Sequence, residues 1–135
     1  LCFLPLTAAL TLVLTLIICN NLPNNAKGSE LPQISELGTG QAYGMFAAGF
    51  ILLLPQLLAI LFGRLLFLIQ SQDHAPRWLL ILIHIVPCVS GIFMLIMATV
   101  SVDRNQSLHL TGAYGMFGLI SAYLFMHTIL ILYLW

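Results

Sequence analysis

A chain of 135 residues that is 61% hydrophobic and 6% charged, with a mean hydropathy of +1.06, is not a water-soluble domain, because soluble domains carry roughly 25% charged residues. Its four Lys/Arg balance its four Asp/Glu, so there is no basic field to attract nucleic acid and no polybasic segment for anionic headgroups. Three widely spaced cysteines, Cys2, Cys19 and Cys88, make neither a zinc pattern nor a disulfide framework and read as apolar filler.

The chain does not begin with Met, and residues 1–18 have the length of a signal-peptide core. Without a positive leader or a small-residue cleavage site, the expectation is a membrane helix over Phe3–Cys19, with Pro5 in its first turns, where a missing N–H costs little. Asn20 to Asn25, with Pro23 among them, stop it, since these side chains compete for backbone hydrogen bonds and proline cannot continue the helix. The loop to Gln41 carries Lys27, Glu30 and Glu36, and its Pro32, Gly38 and Gly40 predict a turn-rich cap. It leads into Ala42-Tyr43-Gly44-Met45-Phe46, and Tyr43–Phe62 holds no charged side chain over 20 residues, enough to cross ~30 Å of hydrocarbon at ~1.5 Å per residue.

That second helix is expected over Tyr43–Ile69, kinked at Pro55 beside the polar Gln56, with Arg64 near its far end extending toward the headgroups. Gln70 to Pro76 is a short turn. A third helix then runs from Arg77 to Val100, anchored by the interfacial Trp78 and carrying His84 and Pro87. Ser101 to Ser107 returns the chain to a fourth helix over Leu108–Trp135; Asn105-Gln106-Ser107 has the form of a glycosylation acceptor but lies too near the membrane for use.

Four spans joined by one long and two short loops predict a single all-α transmembrane domain, an antiparallel up-down bundle, because little else satisfies the backbone in lipid. Arg64, Arg77 and His74 against Asp73 bias the Gln70–Pro76 turn toward the cytosol, leaving the other two loops on the opposite side. Ala42-Tyr43-Gly44-Met45-Phe46 recurs as Ala113-Tyr114-Gly115-Met116-Phe117. The echo is either a structural repeat of two hairpins or chance in an apolar chain; in either case tyrosine suits the interface and glycine lets helices approach.

Chemistry rests on few side chains. His74 is a loop residue, whereas His109 sits at the rim of the fourth helix, within reach of the first loop or of lipid headgroups; Glu36, Ser35 and Tyr114 are further lipid- or loop-contact candidates. Gln56, His84 and His127 lie at membrane depth, where polar groups face a partner or a cavity. Depth along the helices puts His84 and His127 at levels close enough to share a site after tilt, which leaves b-type haem ligation by the pair as an alternative to a protein without cofactor. Asp103 and Glu36 read as solvated charges, and Ser35, Ser90 and Ser121 have no nucleophile-elbow context. Gly40, Gly44 and Gly49 and the series Gly112, Gly115 and Gly118 suit helix contact, since no basic residue adjoins them for phosphate binding. Neither a catalytic constellation nor a metal set is visible.

Two blocks carry a resemblance. Leu31-Pro32-Gln33-Ile34-Ser35-Glu36-Leu37-Gly38-Thr39, and His109-Leu110-Thr111-Gly112-Ala113 followed by Phe117, Tyr123 and His127-Thr128-Ile129-Leu130, are similar to the first-loop and His-x-x-Gly-Ala signatures of the family of damage-regulated autophagy modulators (DRAM), Frag/PGAP-type GPI-anchor remodelling factors and yeast Sfk proteins. The resemblance implies a membrane-lipid, trafficking or autophagy role in the endomembrane system, the lysosome or the plasma membrane, with lipids and other transmembrane helices or subunits as partners. A non-catalytic subunit of a larger complex and a GPI-lipid remodelling enzyme are the alternatives it leaves. Many members have an aspartate after the motif histidine where this chain has Leu110, and members generally have six spans where it has four, so the chain is expected to be a shortened relative or a part of a six-helix fold.

The charge bias makes a topological prediction. Cysteine probes at Gly28 and Asp73 should react from opposite sides of sealed vesicles. Labelling of both from one side would disprove the four-span arrangement.

Overall fold

A computed structural model describes residues 3–23, 34–72 and 75–134. Its helices are α1 (Leu4–Asn21), the single turn α2 (Ile34–Leu37), α3 (Tyr43–Ser71), α4 (Arg77–Thr99) and α5 (Gln106–Leu134), with a 3-10 turn over Gly40–Ala42 leading into α3. Among the described residues there is no strand, and α1, α3 (with its leading turn), α4 and α5 are each long and apolar enough to cross a membrane. Cys2, Lys27, Glu30, Pro32, Asp73 and His74 lie outside the described residues, as does the first part of the first-loop signature.

Local chemistry accounts for the helix ends. α1 starts with proline in its first turn and runs through Asn21, whose side-chain Nδ2 donates to the Ile17 carbonyl at 2.9 Å, so the asparagines extend the last turn slightly before Pro23 ends it. The approach to α3 turns at Gly40, whose φ of 58° is left-handed and therefore suited to glycine. Asn105 caps α5, its Oδ1 accepting from the Leu108 N–H at 3.0 Å, which gives the side chain of the acceptor-like triplet a structural use. Pro55 and Pro87 sit inside helices that continue past them.

The packing is pairwise. α5 lies along α4, α1 lies along α3, and α3 joins the two pairs through α4. One core cluster gathers Cys19, Phe46, Phe50, Met94, Met97 and Met116, and a second gathers Leu68, Leu80, Ile83 and Leu130 toward the other end of α3. Between them lies a cavity of about 210 Å³ walled by α3, α4 and α5, including Leu54, Leu57, Pro87 and Tyr123. Most large apolar side chains elsewhere, such as Leu52, Phe62, Ile92 and Leu132, face outward as a lipid-contacting surface requires.

The two copies of the five-residue echo have different surroundings. Tyr43 donates to the Thr99 carbonyl and Phe46 is 1% exposed, whereas Tyr114 is 74% and Phe117 58% exposed. Gly44 has open space where a side chain would stand, while Gly115 lies against the ring of Phe93. The identical letters serve different contacts, because the helix faces they occupy meet different neighbours.

At Gly112 the backbones of α5 and α4 come close: an added Cβ would stand 2.7 Å from the Met97 nitrogen and 3.0 Å from the Phe93 oxygen. Backbone cannot give way there as a flexible side chain can. Gly112→Val should therefore destabilise the protein by about 1–3 kcal/mol. Gly118→Ala, with nothing within 4 Å, should be neutral or stabilise by up to ~1 kcal/mol through helix propensity. Thermal unfolding in detergent measures both, and equal effects would contradict the close approach.

Candidate intramembrane polar site

Three helices each place a polar side chain seven residues from an end: Arg64 before the end of α3, His84 after the start of α4, and His127 before the end of α5. At ~1.5 Å per residue each is ~10 Å along its helix from that end, so the three meet at one level. Tyr123, one turn before His127 on α5, completes the group. The ring centroids are 5.4 Å apart for Tyr123 and His127, 5.7 Å for His84 and Tyr123, and 6.1 Å for His84 and His127, all in edge-on arrangements. Edge-to-face packing is the favourable geometry for such rings.

Hydrogen bonds fix which nitrogen does what. His84 Nδ1 stands 2.8 Å from the Leu80 carbonyl, which can only accept, so Nδ1 carries the proton. Its Nε2 is buried with no hydrogen-bond partner among the described residues. Arg64 Nε donates to His127 Nε2 at 2.9 Å, which makes that nitrogen an acceptor and ties α3 to α5. Arg64 itself is an exposed residue. Among the described residues no group of three His, Cys, Asp or Glu is placed to hold a metal ion.

The remaining candidate residues are elsewhere. Gln56 pairs with α1: its Nε2 donates to Thr11 Oγ1 at 3.0 Å and to the Leu52 carbonyl at 2.9 Å, while the Thr11 hydroxyl donates to the Thr7 carbonyl. His109 is buried, and its Nδ1 donates to the Val100 carbonyl at 2.7 Å. That bond ties His109 to the turn before its own helix rather than to Glu36, because the end of α4 leaves carbonyls that need donors. Glu36 is half-buried in α2, the Ser35 side chain lies outside the described residues, and Tyr114 projects outward from α5.

Three contributors were named from sequence without being read as residues of an intramembrane site. Arg64 reads as a headgroup-seeking side chain, and only the adjacency of α3 and α5 reveals its histidine partner. Tyr123 lies one turn from His127, a spacing that puts both on one helix face. Ser90, without a nucleophile's surroundings, is buried and donates across to the Met116 carbonyl at 3.0 Å, which bonds α4 to α5.

The Arg64–His127 bond should be measurable by a double-mutant cycle with Arg64→Met and His127→Leu. Interhelical polar bonds in membranes average ~0.6 kcal/mol and reach ~1.7, so a coupling of about 1 kcal/mol is expected. The pair Arg64→Met with Gln56→Leu should be additive, since Gln56 bonds to α1. A coupling of zero for the first pair would remove the bond from the protein's energetics.

The family described as Frag1/DRAM/Sfk1/Cwh43P N-terminal domain matches residues 1–134. No curated protein and no solved structure matches the chain. With four membrane-crossing helices and a family match over nearly its whole length, the chain is an integral, multi-pass membrane protein of the Frag1/DRAM/Sfk1/Cwh43P family.

Proposed function

We propose that the protein acts inside the bilayer by holding an anionic membrane lipid, and that it serves membrane-lipid regulation or trafficking, including autophagy, in an endomembrane or plasma-membrane setting. The observation that carries this is Arg64: it is exposed, one of its nitrogens is held by His127, and it stands one helix turn from Ile60 and Leu61, which line an apolar cavity. A guanidinium has five N–H donors in a planar fork suited to phosphate. The cavity of about 210 Å³ is smaller than the ~300–1,000 Å³ typical of small-molecule pockets, which favours a segment of acyl chain. Held ~10 Å from the end of α3, Arg64 reaches the headgroup level with its stem in hydrocarbon. The reading needs no haem, since Arg64 occupies the ring nitrogen of His127 through which it would bind iron.

Contact with other transmembrane helices is a second part of the reading. Gly44 and Gly118 present small-residue positions with nothing within 4 Å, the kind of surface another helix packs against. The order of contacts, with Thr11 on Gln56 and Cys19 on Ala42, and Ser90 on Met116 and Met97 near Gly112, supports an antiparallel up-down bundle.

Native mass spectrometry after reconstitution in mixed phosphatidylcholine and phosphatidylserine tests the proposal. The protein should retain the anionic lipid preferentially, and Arg64→Met should reduce that preference at least about fivefold, as expected for a charged hydrogen bond of ~1 kcal/mol or more. Undiminished preference in the variant would sink the lipid reading. A protein that carries neither lipid nor a second polypeptide would sink both parts.

A further inference from the structure

A second groove, of about 250 Å³, runs between α3 and α4 on the outer face of the bundle. Its walls are positions 58, 61, 62 and 65 of α3 and 81, 84, 85 and 88 of α4. Each set follows the i, i+3, i+4, i+7 spacing of one helix face, so the walls are two straight ridges about two turns, or ~10 Å, long. Phe62, Ile81 and Ile85 are exposed along them, which opens the groove to hydrocarbon.

His84 is the one strongly polar side chain in this lining, and it is 3% exposed. Its Nδ1 proton is given to Leu80, so in the neutral ring Nε2 is a lone-pair acceptor, and it has no partner among the described residues. An unsatisfied acceptor in such a place is costly, and a ligand that brings a single donor removes the cost. Neither Tyr123 nor His127, whose rings stand edge-on to His84, makes that bond.

We propose that this groove binds a sterol, with the sterol hydroxyl donating to His84 Nε2 and the fused rings lying between the two ridges. The acceptor selects a hydroxyl. His84 is short and 3% exposed and cannot extend toward the headgroups as an arginine does, so a lipid bonded to it through a headgroup would have its phosphate or sugar drawn down into hydrocarbon. Straight walls favour a rigid ring system over a flexible chain, because less conformational freedom is lost on binding. Nε2 is closed off by surrounding side chains, and the hydroxyl reaches it by displacing a flexible lining residue. The site uses a different atom and a different groove from the Arg64 reading and stands without it.

The full chain in phosphatidylcholine nanodiscs, labelled with a photoreactive cholesterol that keeps its hydroxyl, tests the assignment. Cholesterol should suppress labelling, and its 3-keto analogue, which cannot donate, should compete at least about fivefold more weakly. Diacylglycerol, a flexible hydroxyl donor, should also compete more weakly than cholesterol. His84→Phe should abolish the difference between hydroxyl and ketone. Ile85→Trp, which fills the groove from an exposed position, should lower labelling several-fold while leaving the retention of anionic phospholipid unchanged. Should His84→Phe not fold, the ketone comparison and Ile85→Trp decide the matter. Equal competition by the ketone, stronger competition by diacylglycerol, or full labelling of Ile85→Trp would each overturn the proposal.

Discussion

A carbonyl at the end of a membrane helix must find its donor within the protein or at the interface, and the end of α4 shows how this constraint organises the fold. α4 stops at Thr99, and the carbonyls of Thr99 and Val100 are taken up by the Tyr43 hydroxyl from α3 and by His109 Nδ1 from α5. Three residues past His109, Gly112 faces the same helix and lets the two backbones close. The His-x-x-Gly spacing is thus a structural unit: one residue satisfies the helix end and the other permits the approach that brings it there. Ser90 fastens the same helix pair again further along, by donating to the Met116 carbonyl.

The polar cluster at the other end follows a different logic. His84, Tyr123 and His127 are held against one another by edge-on ring contacts, and Arg64 joins them from outside through one hydrogen bond. A buried polar network is favourable when each member is satisfied. Here one nitrogen, His84 Nε2, is left over among the described residues. Tyr123 lines the apolar cavity and packs on the second core, and His84 lines the groove between α3 and α4, so the cluster touches all three.

What could be read from the sequence divides along the same physical lines. The four spans were legible because apolar length alone decides whether a segment crosses the bilayer, and a family resemblance could be seen in short polar blocks at the helix starts. The depths of His84 and His127 could be counted along their helices. That their rings meet depends on how α4 and α5 are rotated, which the weakly amphipathic pattern of an all-apolar helix does not encode. For the same reason Arg64 could be assigned a depth but not its partner, and Ser90 gave no hint that its acceptor lay on α5. His109 illustrates the reverse case: its place at the rim put the first loop and the headgroups within reach, yet the nearer demand came from the unpaired end of the preceding helix.

The helices differ in length, and this has a mechanical consequence. α3 and α5 each have 29 residues, ~43 Å of helix, while α4 has 23, ~35 Å. A hydrocarbon layer of ~30 Å nearly matches α4 but leaves α3 and α5 with more than ten ångströms to place by tilting or by projecting into the headgroups. Because Arg64 and His127 both ride on the long helices, a thinner bilayer that tilts them further would also change the depth of the guanidinium relative to the surface. A change in thickness would therefore act first on the two helices that the Arg64–His127 bond ties together.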